Sequence, residues 1–418
     1  VLSIVVRAVL VVAVVALLSG CGSSLEGPVA HASDASDNSK LNAGESCAST
    51  VVEALGQIAM RVYREGVSSA RTASALSLIT HSAPLREAIE QNDPAAARAA
   101  AKALLATHHM TNLRVLTPGG TLADAGGAGA LAPLHGTITN AKGAPIATFL
   151  ASVWADRGYI SEINGIAEGA TALRAGASSI PGSFPLPAGE LAAEGFLQVR
   201  DIDYRYTSFP VAAYPTGTLR VYVLRSIAST AALCGSTEQD TLVNTLSHIA
   251  TLIYRGEAGR RTLPQIHRVQ RNQALLSAVA KRDPVATSAA VKALLHEHIV
   301  RLRVSAAGTL LSDVGGPFVL APVQAPLRLH GRTIGSFVLS IQDDLGYRLL
   351  AQRLVGLDSV MRVGSRVVMT SLNPAPAHLP SSGLVHYRGH TYRAFSFGAR
   401  AFPSKPLQIT VLIPIPYT

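Results

Sequence analysis

Six pairs of polar residues recur 188 positions apart inside otherwise apolar stretches: Asp156 and Asp344, Tyr159 and Tyr347, Arg174 and Arg362, Tyr204 and Tyr392, Arg205 and Arg393, Ser208 and Ser396. An arginine fork beside tyrosine hydroxyls suits a carboxylate or another oxyanion, because one guanidinium can bind two oxygens at once. These twelve residues are therefore the candidate ligand-binding set, and a small anionic ligand is the expected partner. An architectural reading stands beside this one. The aspartates would cap a turn and the arginines would tie that turn to a sheet, since residues shared by a duplicated fold also report shared architecture.

Catalytic chemistry finds little support. The chain contains no Gly-x-Ser-x-Gly elbow, no His-Glu-x-x-His, no phosphate loop and no Cys-x-x-Cys pair, the arrangements that such chemistries need. No catalytic residue, cofactor or enzyme activity is expected. His296-Glu297-His298 has metal-ligating residue types, but side chains two apart on a helix point roughly 200° apart, so no metal site is expected. Gly126-Gly127-Ala128-Gly129 follows a strand pattern without a helix after it and reads as a tight turn rather than a nucleotide loop. Ser36-Asp37-Asn38 matches a triplet of penicillin-recognising enzymes, yet no Ser-x-x-Lys accompanies it.

The elements that would position the polar pairs are written twice. The same interval holds for Phe149/Phe337, Ser152/Ser340, Gly158/Gly346, Phe209/Phe397 and Leu224/Leu412, while Leu131-Ala132-Pro133 recurs as Leu320-Ala321-Pro322 and Asp93-Pro94 as Asp283-Pro284. The periodicity implies two tandem repeats, 48–227 and 235–416. Val51, Leu55, Ile58 and Val62, and again Leu242, Leu246, Ile249 and Ile253, form one helical face. Each Asp-Pro places a capping carboxylate before a proline at the first helical position. Glycine turns at Gly119-Gly120 and Gly308 then join short apolar runs into hairpins. Phe149 to Trp154, Tyr204 to Phe209 and Leu219 to Leu224 have strand lengths and strand composition. Each unit is thus expected to be a long helix with further helices, followed by an antiparallel sheet of about five strands, an α+β fold.

This order of elements resembles the Cache domains, the extracytoplasmic PAS-like sensor modules of bacteria. The likeness is carried by the long first helix, the Gly-turn hairpin, the strand from Gly331 to Phe337, the hairpin from Tyr387 to Tyr392 and the closing strand from Leu407 to Ile413. It implies a small-molecule pocket on one face of each sheet. The amino-acid-binding pattern of that family cannot be placed here, and Trp154 is replaced by Gln342 in the second copy.

Ahead of the repeats, Arg7 precedes an apolar run from Ala8 to Leu18, roughly 17 Å of helix against a ~30 Å hydrocarbon core. It reads as a signal peptide, residues 1–20. Leu18-Ser19-Gly20-Cys21 resembles the lipobox of bacterial lipoproteins, which implies lipidation of Cys21 and attachment to the extracytoplasmic side of the membrane. Residues 21–46 are small and polar and read as a flexible tether. Cys47 and Cys234 each precede the first helix of a repeat; outside the cytoplasm they are placed to form a disulfide, with two free thiols as the alternative. The formal charge of +10 favours lipid heads, wall polymers or acidic ligands. No Lys/Arg block with interleaved aromatics points to nucleic acid. The expected function is ligand sensing, with the signal passed to a separate membrane receptor. The alternative is a structural cell-envelope protein without a small-molecule pocket.

Overall fold

The structure, a computed structural model, describes residues 34–417 apart from 108, 128, 260, 261, 296, 297 and 318. The expected signal peptide, Cys21 and two of the three residues of the histidine cluster lie outside the described residues. Residues 43–417 form one compact unit. Among the described residues no helix is long and apolar enough to cross a membrane.

Helix α1 (Asp34–Ser68) opens the described chain. It begins earlier than its apolar stripe: Asp34 to Ser46, read above as tether, is helical. That stretch has no proline to stop a helix, and aspartates at its start suit the helix dipole. Three shorter helices follow, α2 (Ala70–Thr80), α3 (Ala83–Glu90) and α4 (Pro94–Thr107). Each has a side-chain cap: the Ser69 and Ser82 hydroxyls accept from the Thr72 and Leu85 amides, and Asp93 accepts from those of Ala95 and Ala96.

Strands β1 (Asn112–Thr117), β2 (Gly120–Gly126), β3 (Ala130–Thr139) and β4 (Pro145–Ala155) form an antiparallel sheet in the order β2-β1-β4-β3. Helix α5 (Asp156–Ala167) leads into a second sheet of β5 (Ala170–Ala175), β6 (Ser178–Ser179), β7 (Glu194–Val199), β8 (Ile202–Ala212) and β9 (Thr218–Ser226), in the order β6-β5-β9-β8-β7. The short helix α6 (Ile227–Thr230) closes the first repeat.

The second repeat runs through α7 (Glu238–Ala258), α8 (Leu263–Gln270), α9 (Gln273–Ala280) and α10 (Pro284–Leu294) into β10 (Arg301–Ala306), β11 (Thr309–Gly315), β12 (Val319–Leu320), β13 (Val323–Leu329) and β14 (Arg332–Ser340). After β15 (Gln342–Asp343) and α11 (Asp344–Leu350) come β16 (Asp358–Val363), β17 (Arg366–Thr370), β18 (Ser382–Tyr387), β19 (His390–Ala401) and β20 (Lys405–Ile415). Its sheets follow the orders β11-β10-β14-β13 and β15-β12-β19-β20-β16-β17, with β18 on β19.

The fold is α+β, and the strands of each repeat divide between two sheets. At the recurrent Leu-Ala-Pro the chain reaches from one sheet to the other. Ala132 and Ala321 adopt φ of 57° and 49°, which turns the chain between them. Leu131 therefore bridges to Ala213, and Leu320 pairs with Ala401, in the other sheet.

Each first sheet closes a core of its own against its short helices. The second sheets share one. Val51, Leu55, Ile58 and Val62 of α1, Ile160 and Ile163 of α5, Leu246 and Ile249 of α7, and Val221, Val223, Ile409 and Val411 of the two sheets all belong to a single buried cluster. Gly56 is required where α1 crosses β8, because a Cβ there would strike Thr207. Each fully buried Val, Leu or Ile contributes about 1.5–3 kcal/mol, so this cluster dominates the association of the repeats.

Cys47 and Cys234 are disulfide-bonded across a sequence separation of 187 residues, with Cα atoms 5.6 Å apart. On the chain-entropy account, a loop of that length stabilises the fold by about 5 kcal/mol. Replacing both cysteines by serine is expected to lower the denaturation midpoint accordingly without changing the order of elements, as read by denaturant unfolding and circular dichroism.

Candidate functional site

Strand parity sorts the second sheet of the first repeat into two faces. Leu173, Phe209, Val211, Val221 and Val223 point into the shared core. Ala172, Tyr206, Tyr222 and Leu224 point the other way, where Phe184, Leu186 and Leu191 cover them. These last three come from the irregular segment between β6 and β7. It is rich in proline, which suits a cover without ladder pairing. The Ile180 amide donates to the Leu173 carbonyl at 2.8 Å and that of Phe184 to Thr171 at 3.1 Å, which holds the segment on the sheet.

A cavity of about 360 Å³ lies on this outer face, lined by Arg174, Gly176, Glu190, Leu191, Pro210, Thr218, Leu219, Arg220 and Tyr222. Arg174 is 1 % exposed. Its Nη2 donates to the Ala177 carbonyl of the adjoining turn, whereas Nε and Nη1 have no hydrogen-bond partner among the described residues. Arg220 stands directly across the ladder from it and donates from Nη1 to the Ser208 hydroxyl at 2.9 Å. Ser208 in turn donates to the Ala193 carbonyl at 2.6 Å, which ties the arginine to the covering segment. Neither arginine is within salt-bridge distance of a carboxylate of the described residues. Two like charges opposed on one sheet face repel, and an unpaired buried charge costs several kcal/mol. The arrangement is chemically suited to receiving an anion.

The second repeat uses the equivalent arginine differently. Arg362 donates from Nη1 to Ser365 at 3.1 Å and from Nη2 to the carbonyls of Pro376 and Ala377. Its cross-strand partner is Gln408. Ser396 is within 2.7 Å of the Thr410 hydroxyl, which stands where the first repeat has Tyr222. Here the architectural reading describes the geometry: the guanidinium binds its own loop.

The other shared residues lie elsewhere. Asp156 and Asp344 begin α5 and α11 and are buried, each with one carboxylate oxygen unpartnered; Gly129, at φ 68°, leaves no room for a Cβ beside Asp156. Burial pushes both carboxyls above the usual range. Tyr159 and Tyr347 are fully buried on the core side, donating to the main-chain oxygens of Ala59 at 2.8 Å and Ala250 at 3.0 Å. They pin α5 and α11 to the long helices. Tyr204 packs its edge on Phe184 at 5.1 Å, and Tyr392 fills a small cluster with Leu372 and Leu412. Arg205 pairs with Glu194 at 2.8 Å and Arg393 with Asp240 at 2.7 Å. Trp154 packs against Tyr159 in the interior, ring centroids 5.8 Å apart.

The structure thus brings together Arg174 and Ser208 of the expected set and adds Arg220 and Tyr222. Arg220 escaped a search for shared residues because its counterpart is Gln408; a charge inside the apolar run Leu219 to Leu224 was the available signal. Tyr63 and Tyr254 escaped too, being 191 rather than 188 positions apart. They donate to the equivalent carbonyls of Ala212 and Arg400. Among the described residues no group of three His, Cys, Asp or Glu side chains could hold a metal ion.

No protein-family model and no curated protein matches the chain. Among solved structures, the periplasmic domain of Vibrio cholerae LuxQ is similar at 14 % identity and TM-score 0.28, over 39 % of this chain and 96 % of that one. An extracellular ligand binding receptor from Desulfohalobium retbaense is similar at 13 % identity and TM-score 0.22, over 40 % of each chain.

The two buried aspartates set a pH dependence. A carboxyl whose folded pKa exceeds its unfolded one favours the folded state below the unfolded pKa, and that advantage is lost as pH rises through the folded pKa. Asp156→Asn is therefore expected to raise the melting temperature at pH 7 and to lose that gain below about pH 4, near the ordinary aspartate value, in thermal melts across pH.

Proposed function

We propose that the chain is an extracytoplasmic ligand-binding protein of the sensor type, held to the membrane by a lipid on Cys21 and acting through a separate membrane protein. The observation that carries the binding role is the Arg174 guanidinium, which belongs to the lining of a cavity on the outer sheet face and has two buried donor nitrogens without an acceptor among the described residues. The cavity lining offers no cysteine or histidine. In this reading the first repeat binds, while the second serves as a packed support whose corresponding arginine is engaged by its own loop.

The anchoring half of the proposal rests on the lipobox resemblance at Leu18 to Cys21. Cys21→Ala is expected to move the protein from the membrane to the soluble fraction of a bacterial host; unchanged partitioning would overturn the lipid anchor. For the binding half, a thermal-shift screen with anionic, neutral and cationic small molecules is expected to find a dose-dependent stabilisation, about 2.7 kcal/mol at a hundred times Kd. Leu191→Trp, which fills the cavity, is expected to abolish it. A flat response to every class from folded protein would favour the alternative, a structural envelope protein.

A further inference from the structure

The geometry points to a more specific occupant: the first repeat binds one small dianion, held between Arg174 and Arg220, and the second repeat binds none. This rests on the ligand-binding reading above and narrows it to a ligand class and a stoichiometry.

Charge decides the class. Arg174 and Arg220 are register partners on adjacent antiparallel strands, so their Cα atoms are about 4.5–5.5 Å apart and both side chains leave the same face. Arg174 is at the sheet with Nε and Nη1 unpartnered; Arg220 is partly exposed, with Nη1 committed to Ser208. A neutral ligand would leave both charges uncompensated, and a monoanion would leave one. Glu190 lines the cavity but is exposed, where solvent screens it from the buried charge. A ligand with two negative charges on a small frame matches the two guanidinium groups. A dicarboxylate and a phosphate monoester share that chemistry.

Stoichiometry follows from the second repeat. There the same ladder position pairs Arg362 with Gln408, so one positive charge is lost, and the remaining guanidinium is spanned by carbonyls of residues 365, 376 and 377. A dianion would have to displace these contacts for half the electrostatic return.

Isothermal titration calorimetry on the purified full chain tests both points, with succinate, methyl phosphate, acetate, glycerol and putrescine as probes. Either succinate or methyl phosphate is expected to saturate at one per chain, at least tenfold tighter than acetate, and the stronger of the two identifies the anion type. Arg220→Gln, which reproduces the residue of the second repeat and leaves the buried Arg174 in place, is expected to weaken the dianion at least tenfold. Arg362→Gln is expected to leave it unchanged, and Glu190→Gln to tighten it. Equal binding of acetate and the dianions, an unchanged affinity in Arg220→Gln, a stoichiometry of two, or binding of glycerol or putrescine in their place would overturn the dianion while leaving ligand binding intact. Silence from all five probes, together with a flat thermal-shift screen, would overturn the underlying reading as well.

Discussion

One apolar core shared by both repeats constrains everything else. Helices α1 and α7, the helices α5 and α11 and the inner faces of two sheets meet in it, and none of these parts could bury its apolar face alone. The polar contacts between the repeats are modest beside it. Glu168 reaches His248 at 2.9 Å and Arg353 reaches Glu65 at 3.1 Å, but such half-exposed pairs contribute only ~0.2–1 kcal/mol each. A dozen buried aliphatic side chains outweigh them by an order of magnitude. The two copies therefore behave as halves of one body, clamped where the Cys47–Cys234 bond joins α1, within which Cys47 lies rather than ahead of it as the sequence suggested, to the lead into α7.

That core also dictates where polar chemistry can reside. Successive side chains on a strand alternate faces, so committing Leu173, Val221 and Val223 to the interior sends Arg174, Arg220 and Tyr222 outward. The outer face is not simply solvated, because the segment carrying Phe184, Leu186 and Leu191 lies over it. The result is a covered sheet face with two arginines. In the second repeat the same parity sends Arg362 outward, but the covering segment turns its carbonyls onto the guanidinium. The two repeats share a scaffold and differ on their outer faces, with Arg220 in one and Gln408 in the other as the clearest chemical difference.

A buried group without a partner has different meanings at the two kinds of position. Asp156 and Asp344 begin the helices α5 and α11, and burial raises their pKa values, with the neighbouring Asp343 charge adding to the effect at Asp344; a carboxyl can respond by taking a proton. Arg174 has no such escape, since a guanidinium stays charged at any ordinary pH. An unmatched arginine in the interior therefore calls for an external anion in a way that an unmatched aspartate does not.

The duplication, the α+β class, the long helices, the Asp-Pro caps and the hairpins were all determined by the sequence, because each depends on neighbours within a few residues or on a repeat interval. The Leu-Ala-Pro motif was visible, but its role as the bend between two sheets was not, since it depends on a strand leaving one ladder for another. Tertiary structure alone decided which shared polar residues meet. Tyr159 and Arg174 look equally promising in a chain, yet one is sealed against Ala59 in the core and the other lines a cavity. Periodicity tells which residues share a face of a strand; only packing tells what covers that face, and the chemistry of a buried polar group is set by what covers it.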